Sequence, residues 1–523
     1  MKKLFILLTL LGCLVASGCA KSHISKDAVL NLHLGADPSI LNPILSTDSA
    51  SSSVVGLVFN GLFRVNSELK MEPDLAKSYT VSPDGLKYVF HLRHDVTWHD
   101  GKPFTADDVL FTFQKIQDPK TNTVRRSDYV MDGVAIKFEK IDTYTIQATL
   151  PKPFAPFLTS MGMGILPKHL LENQDINTTE FNRHPIGTGP FVFDKWESAQ
   201  YVSFHRFDAY YGGKPKLKTI IMKIIPNDAT ALMAFEKGEL DEVGVPAKDI
   251  PRFEKRKGST FYRYQVLNYT YMGFNLKNPM FADLKVRQAL AQAVDKKALV
   301  NSVLKGYGLP ANIPCSPVSW VYPKNSTGLA YDPKKSIDTL TEMGYVRNTK
   351  TGIFEKNGKP FEFTVLTNKG NLDREKTCEI LQQYFLRIGV KMNIQVMEWS
   401  SMLKVIQSPT APKKFDAVIL GWGLGIDPDD YSIWHSGEYP KGFNFIGYSN
   451  PKVDALLTQG RRGLTQESRL PIYHALYKEI AQDMPYLFLY YPDATVCIQN
   501  RVKGLSKPGP AGMMNKMEEI YIQ

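Results

Sequence analysis

Cysteine is scarce in this sequence, and the few cysteines stand far apart. There are five in 523 residues, and two of them, Cys13 and Cys19, fall within or just after the first apolar stretch. Cys315, Cys378 and Cys497 form no C-x-x-C pair and no cluster with histidine, which argues against a zinc site and a disulfide-built scaffold. We expect three buried single thiols. The alternative is one disulfide between two of them, since an oxidising compartment would permit it.

Long apolar segments and runs of one charge are also missing. After the N-terminal stretch, no segment is apolar over the length that spans a bilayer. The formal net charge is +11, but the basic residues are spread along the chain. Since the sequence has neither a basic stripe nor a recognisable nucleic-acid module, we expect no nucleic-acid binding, and a solvated basic surface near an anionic membrane instead.

Complete enzyme motifs are absent as well. H-E-x-x-H, G-x-S-x-G and the Walker A loop do not occur. Two S-x-x-K segments, 302–305 and 401–404, and a K-T-G at 350–352 are pieces of a penicillin-binding serine site, but S-D-N is missing. The ten histidines are dispersed. We therefore expect no catalytic residue, no cofactor and no metal.

The N-terminus has the pattern of a lipoprotein leader. Lys2 and Lys3 precede an apolar run from Leu4 to Ala16, and small residues then lead to Cys19. The run is short for a membrane span and typical of a signal peptide. We predict a signal peptide at 1–18, lipidation of Cys19, and a polar tether at 19–27. Cys13 is a rival lipidation site, and a plain cleaved signal is the other alternative.

The rest of the chain has the composition and periodicity of an α/β protein. Hydrophobic residues make up 43% and charged residues 22%, which is the balance of a globular protein. Alternating apolar residues predict strands at 361–365 and 390–396, and a helical face lies between them at 378–388. Strand, helix and strand in this order indicate a βαβ unit and a right-handed crossover.

A turn, a strand, a second turn and a capped helix follow one another between Ser82 and Val109. Proline and glycine at 83–85 predict the first turn, and alternation at 88–92 predicts the strand. Thr105 is a good N-cap for the helix that follows. We expect Trp98 and Phe104 to anchor the core of this unit, rather than to touch a ligand.

The segments Ser82–Arg93 and Val96–Val109 resemble the signature of the family 5 solute-binding proteins. This family includes the oligopeptide- and dipeptide-binding proteins of ABC importers. Shorter matches are spread along the chain, at 73–76, 187–191, 238–241, 274–275, 286–290 and Trp422. The resemblance therefore covers almost the whole chain after the N-terminal leader.

This resemblance implies an α/β fold of the periplasmic-binding-protein type, a two-lobed clamshell with an additional domain packed on the first lobe. The implied bounds are 28–65, 185–275 and 490–523 for lobe I, 66–184 for the additional domain, and 276–489 for lobe II. Two lobes that close over a ligand fit a hinge motion, in which the ligand stabilises the closed state through its differential affinity.

The function implied by the resemblance is capture of short peptides for import. The protein would be tied by its lipid to the periplasmic or outer face of a bacterial membrane. It would act as a monomer and deliver peptides to an ABC permease and its ATPase subunits. In the family an extended peptide bonds to protein strands, which gives affinity without reading side chains. A non-peptide ligand, such as a nickel chelate, a glutathione-like thiol or a murein fragment, is the alternative.

The segment that begins at Trp422 is the implied anchor for the peptide amine. Trp422 ends a predicted strand with Gly423, and we expect its ring to wall the pocket. Peptide binders of the family place an aspartate at the third position after this tryptophan, where this chain has Gly425. Asp427 is then expected to hold the amine from a longer loop, unless the ligand lacks a free α-amine or Asp427 only forms the turn before Pro428.

Four further residues are predicted to meet the ligand. Lys369 and Arg374 flank the loop after the 361–365 strand, and one of them would pair with a ligand carboxylate. The alternative is that both are solvated loop charges. Asn275 and Tyr269 would offer side chains at the entry to the hinge.

Overall fold

The computed structural model describes residues 28–523. The predicted signal peptide, the tether, and the two candidate lipidation sites Cys13 and Cys19 lie outside the described residues. The helices are α1 Ser49–Val58, α2 Ala106–Gln117, α3 Phe157–Ser160, α4 Lys168–Leu171, α5 Asp228–Glu236, α6 Ile250–Phe253, α7 Pro279–Ala282, α8 Leu284–Gln292, α9 Lys296–Leu304, α10 Pro333–Glu342, α11 Leu372–Arg387, α12 Trp399–Ile406, α13 Tyr431–Trp434, α14 Pro451–Arg462 and α15 Gln466–Asp483.

Strands are distributed along the whole described chain. They are β1 Val29–Leu34, β2 Phe63–Val65, β3 Met71–Pro73, β4 Ala76–Val81, β5 Lys87–Leu92, β6 Val130–Met131, β7 Val134–Ala135, β8 Lys137–Asp142, β9 Thr145–Thr149, β10 Phe191–Glu197, β11 Tyr201–Arg206, β12 Thr219–Ile224, β13 Glu242–Gly244, β14 Ser259–Tyr264, β15 Asn268–Phe274, β16 Gly308–Pro310, β17 Val346–Arg347, β18 Phe354–Lys356, β19 Lys359–Pro360, β20 Glu362–Asn368, β21 Lys391–Met397, β22 Ala417–Gly423, β23 Tyr486–Pro492, β24 Ala494–Gln499, β25 Val502–Lys503 and β26 Tyr521–Ile522.

The first lobe is assembled from segments that are distant in the chain. One sheet has the strand order β1-β12-β11-β10, in which the N-terminal β1 pairs with β12 in parallel. A second sheet has the order β13-β24-β14, so a strand from the C-terminal part of the chain lies between two strands from its middle. The alternating burial of β1 and β12 follows from their alternating apolar residues.

The additional domain contains the signature segment and shares its core with the first lobe. Its antiparallel sheet has the order β4-β5-β9-β8. Thr105 caps α2 in a capping box with Asp108. Trp98 and Phe104 are fully buried, as predicted, and the Trp98 indole donates a hydrogen bond of 3.4 Å to Asp108. One continuous hydrophobic cluster joins this domain to the first lobe.

The second lobe is built on a six-stranded mixed sheet with the order β16-β23-β15-β22-β20-β21. The predicted βαβ unit is confirmed, because β20 and β21 pair in parallel and α11 connects them. Hydrophobic clusters cover both faces of the sheet. Asp283 caps α8 by accepting a hydrogen bond from the Lys285 amide, and Asp295 caps α9 by accepting one from the Ala298 amide.

The strand pairing does not agree with three of the domain boundaries expected from the sequence. The strand β15 pairs along its length with β22 and also with β23, so lobe II begins before Asn268 and not at 276. The strand β23 also belongs to this sheet, so the chain returns to the first lobe after Pro492 rather than at 490. The expected boundary at 65/66 falls within the β2–β3 hairpin. These shifts arise because ladder partners distant in the chain decide where a strand belongs. The expected two-lobed α/β architecture with an additional domain is confirmed.

Candidate functional site

The end of β22 presents an unpaired strand edge. Its full length pairs with β15, but β20 pairs only with Ala417 and Val418. The Thr367 hydroxyl donates to the Ile419 carbonyl, which therefore faces the β20 side. Because backbone groups alternate along a strand, Gly421 and Gly423 face the same side. Within residues 28–523 no strand covers this edge, so it can accept an added strand.

Trp422 braces this strand end through an aromatic cluster. Its ring is half-buried and lies parallel to that of Tyr271, with centroids 6.3 Å apart. Phe443 packs edge-on at 5.2 Å, and the indole donates a 3.3 Å hydrogen bond to the Tyr486 hydroxyl. Trp422 is therefore fixed against the core of lobe II, and only part of its ring faces outward.

The loop after β22 carries Asp427 as one half of a buried ion pair. Arg469 of α15 donates to both carboxylate oxygens, at 2.6 and 2.7 Å. Burial opposes the charged form, but the hydrogen bond and charge of Asp427 raise the pKa of Arg469. Asp427 therefore has a counter-charge of its own, and it is not the free carboxylate that the sequence-based role requires.

A second arginine of lobe II joins this loop to the additional domain. Arg461 of α14 contacts Asp429 at 2.9 Å in its own lobe, and across the gap it contacts Asp128 at 2.8 Å. It also donates to the Ser127 carbonyl at 2.7 Å. The side chains of Arg461 and Asp429 are only 9% and 7% exposed. By direct pairing, three carboxylates share two guanidinium groups here, and the positive charge of Arg125 also acts on Asp128.

A cavity of about 1010 Å³ opens between these elements. One wall comes from the first lobe and the additional domain, and the other from the loop after β22. Its size lies at the upper end of the range for ligand sites. The residues that line the two walls include Ser52, Ser53, Phe59, Asn60, Arg125, Asp128, Ser160, Met163, Gly425, Asp427, Asp429 and Ser432. Of the predicted site residues, Gly425 and Asp427 line this cavity.

Arg374 is a cation without an acidic partner at the same end of the sheet. Its Nη1 donates to the Asn368 side chain at 2.8 Å. A Cβ on Gly421 would lie 3.0 Å from the Arg374 Nη2, so the guanidinium lies beside the free edge of β22. Burial lowers the pKa of Arg374, and none of the described carboxylates forms an ion pair with it. Such a group is suited to bind an anion.

Lys369 and Gly423 are the more open of the predicted site residues. Lys369 is exposed, and its backbone amide donates to the Met397 carbonyl. A Cβ on Gly423 would meet nothing within 4 Å. Lys369 follows β20 and Gly423 is the last residue of β22, and these two strands end at the same edge of the sheet because they run in parallel.

The expectation for Asn275 is wrong. It follows the far end of β15 and lies six positions from Tyr269, which is opposite Trp422, a span of roughly 20 Å. Its buried amide donates to the carbonyls of Lys413 and Phe415. The error arose because the chain enters lobe II at the start of β15, not at its end. Asn275 has a structural role.

The expectation for Tyr269 is also wrong. The residue lies at the correct end of the sheet, but its side chain is fully buried in the core of lobe II. Its hydroxyl has no hydrogen-bond partner in the described part of the chain. Alternation along β15 turns this ring inward, beside that of Tyr271.

Several residues of the site carried no local signal in the sequence. Arg461 and Asp128 are 333 positions apart, and Arg469 lies 42 positions from Asp427. Arg125 lines the cavity with a buried Nε that has no partner among the described residues. An arginine inside a helical pattern predicts only a solvated face, so these contacts required the tertiary structure.

Metal and membrane features give no further site. In residues 28–523 no group of three or more His, Cys, Asp or Glu side chains is placed to hold a metal ion. The helices there include none long and apolar enough to cross a bilayer. Cys315, Cys378 and Cys497 are buried free thiols, as predicted.

Comparison with known proteins identifies relatives over nearly the whole chain. Residues 70–443 match the family model described as bacterial extracellular solute-binding proteins, family 5 Middle. The oligopeptide-binding protein AppA of Bacillus subtilis is 35% identical over 90% of this chain and 87% of its own length. The heme-binding protein A of Haemophilus influenzae is 30% identical over 90% and 87% of the respective chains.

Solved structures show the same fold. AppA of Bacillus subtilis in complex with a nonapeptide superposes with a TM-score of 0.90 at 34% identity, covering 95% of this chain and 99% of that one. NikZ of Campylobacter jejuni in complex with Ni(L-His) superposes with a TM-score of 0.86 at 33% identity, covering 95% and 100%.

Proposed function

Since this chain belongs to family 5 of the bacterial extracellular solute-binding proteins, we propose that it captures short peptides in the cleft between its lobes. The observation that carries the proposal is the free edge of β22, which leads directly into the loop that lines a large cavity between the lobes at Gly425 and Asp427. The peptide-bound AppA structure supports the same ligand class.

Backbone pairing is the proposed source of affinity. An extended peptide would add to β22 beside Gly421 and Gly423, whose amide and carbonyl groups face the open side. Main-chain bonds of this kind do not depend on the peptide sequence. The cavity is large enough for side chains with bridging water, which satisfies many polar groups at little cost. A binding protein with broad specificity results.

The two charged ends of the peptide have separate proposed anchors. Arg374 would bind the peptide carboxylate, because it is a half-buried cation that forms no ion pair in the described chain. The amine would lie near Asp427, Asp429 and Asp128, where carboxylates outnumber the paired arginines. Trp422 and Gly423 would shape the entrance, and Gly425 would leave room for the amine.

The wider role follows from the family. We propose that the protein is anchored through Cys19, remains outside the cytoplasmic membrane as a monomer, and passes its ligand to an ABC permease. It would bind its ligand without making or breaking a covalent bond. This wider role rests on the family alone, because Cys19 lies outside the described residues and the permease is a separate protein.

A second candidate ligand is a metal chelate. NikZ, whose structure contains Ni(L-His), matches this chain at 33% identity with a TM-score of 0.86. A chelate brings its own ligands, so the absence of a protein metal cluster in residues 28–523 does not decide between the candidates. A free carboxylate on such a chelate would suit Arg374 equally well.

The ligand that remains bound during purification tests the proposal. The protein is isolated under native conditions and then denatured, and the released small molecules are identified by mass spectrometry. We expect a mixture of short peptides. Recovery of only metal chelates or cell-wall fragments would refute the peptide proposal and leave the binding-protein family intact.

Titration calorimetry then tests the anchors. A free peptide is compared with its N-acetylated form on the ligand-free protein. We expect the acetylated form to bind at least tenfold more weakly, since it cannot donate charge-assisted bonds to the acidic loop. Equal affinities would show that this loop does not hold the amine.

A further inference from the structure

A second cavity lies inside lobe II, away from the cleft. Its volume is about 680 Å³, which is within the range for small-molecule sites. Tyr486, Leu487 and Phe488 at the start of β23 form its floor. The backbone of Tyr486 pairs with Gly273, four positions along β15 from the partner of Trp422, and only the Tyr486 hydroxyl reaches back to the Trp422 indole. The two cavities share no lining residue.

The cavity occupies the place where the sheet lacks an outer strand. The edge strand β16 pairs only with Tyr490, Tyr491 and Pro492. The preceding residues of β23 pair with no strand on that side within the described chain, and residues of α8 and α15 line the cavity there. Residues of the loop 323–329 also line the cavity. The fold therefore leaves a walled space at this edge rather than a solvent-exposed strand.

The polar groups around this space are cationic or neutral. Lys296 and Lys478 line it, and of the described lining residues none carries a carboxylate. The Lys296 ammonium donates to the Ala311 carbonyl at 2.8 Å and to the Asn312 side chain at 2.9 Å. An ammonium has three protons, so one remains without a partner there. Burial alone lowers the pKa of Lys296 to about 7, since no acidic neighbour raises it.

Two further features concern polar groups of this cavity, the Asn312 side chain that accepts from Lys296 and the ring of His474. Gly328, in the loop 323–329, packs so closely on Asn312 that a Cβ at this position would lie 2.2 Å from the Asn312 Oδ1. His474 also lines the cavity, and its Nε2 is buried with no partner in the described part of the molecule. Native proteins rarely leave buried polar atoms unsatisfied without a reason.

We propose that this cavity is a second ligand site, which binds a small, largely apolar carboxylate. The carboxylate would accept a hydrogen bond from Lys296, and the apolar body would pack against Ala291, Ile313, Ala481 and Leu487. Charge complementarity selects an anion, because the lining carries lysines and no acid. The apolar walls select against a fully hydrated anion such as phosphate. The inference does not depend on what the cleft binds.

Benzoate is the probe for this site, with benzyl alcohol and benzylamine as neutral and cationic controls of similar shape. Binding is measured by titration calorimetry and by ligand-observed NMR on the full chain. We expect benzoate to bind, and the two controls to bind at least tenfold more weakly. If benzoate gives no binding to the wild-type protein, the proposal is wrong.

Three variants locate the bound benzoate. Lys296→Met removes the ammonium, and Lys297→Met removes an exposed neighbour that does not line the cavity. Ala481→Phe fills the space from its half-buried rim. We expect at least a tenfold loss of affinity for Lys296→Met and Ala481→Phe, and none for Lys297→Met. Equal binding by all three variants would place benzoate elsewhere, for example at Arg374, and overturn the proposal. If Lys296→Met fails to fold, Ala481→Phe alone decides.

Discussion

Arg374 is the residue whose surroundings most clearly predict a ligand group. Arg374 is half-buried, and a guanidinium that is partly removed from water without an acidic partner is costly unless something compensates it. We predict that Arg374→Met weakens binding of peptides with a free carboxylate by roughly 10- to 100-fold, the range for a charge-assisted bond. Calorimetry with free and C-terminally amidated peptides measures this.

The control for Arg374 is Arg387→Met, in the last turn of the same helix, where the side chain is exposed. This variant should bind both peptides as the wild type does. If Arg374→Met lowers the affinity for amidated and free peptides equally, its role is to support the strand end rather than to bind the carboxylate.

Asp427 is a predicted site residue that already has a charged partner within the protein. Its side chain is 14% exposed and is held by Arg469. We predict that Asp427→Asn lowers the free energy of unfolding by about 3 kcal/mol, because it leaves a buried arginine without its counter-charge. Denaturant unfolding followed by fluorescence measures the change.

Asp208→Asn is the matched control for Asp427, since Asp208 is 61% exposed and also pairs with two basic residues. An exposed pair contributes less than about 1 kcal/mol. If Asp427→Asn were as stable as this control, the Asp427–Arg469 pair would not stabilise the loop.

At the scale of elements, the free edge of β22 predicts which backbone amides of a bound peptide form hydrogen bonds to the protein. Only alternate residues of an added strand bond to the edge. Replacing successive peptide amides by esters should therefore weaken binding at every second position, by roughly fivefold for a lost hydrogen bond of about 1 kcal/mol. Esters at the intervening positions serve as the control. A uniform effect, or none, would argue against strand addition.

Elements were predictable from the sequence where the signal was local. The capping box at Thr105 and the buried Trp98 follow from residues that are neighbours in the chain. The βαβ unit around α11 was predictable for the same reason. In contrast, Asn275 and Tyr269 were misplaced because burial on β15 depends on which strands flank it, and ladder partners cannot be deduced from one strand alone.

At the scale of the whole molecule, Arg461 connects the two lobes. We predict that Arg461→Met favours an open form, since it removes the contacts with Asp128 and Ser127 across the cleft. The radius of gyration of the ligand-free protein should increase in small-angle scattering. Peptide affinity should fall roughly tenfold, because closure then costs about 1.4 kcal/mol more.

Two further variants separate closure from local damage at Arg461. Asp128→Asn weakens the same contact from the other lobe and leaves Asp429 paired, so it should also favour the open form. Arg462→Met removes an ion pair with Asp132 that also joins lobe II to the additional domain, but both side chains are nearly half exposed, so this variant should behave as the wild type. An unchanged radius of gyration in both Arg461→Met and Asp128→Asn would show that this arginine does not hold the lobes together.

The central claim is that one ligand is held by both lobes at once, and hydrogen–deuterium exchange tests it most directly. The ligand-free protein is compared with the protein saturated with a peptide recovered from purification. We predict slower exchange at 420–432 in lobe II and, at the same peptide concentration, at 46–64 and 125–129 on the opposite wall. Slower exchange on one wall alone, or on neither at saturation, would contradict the account.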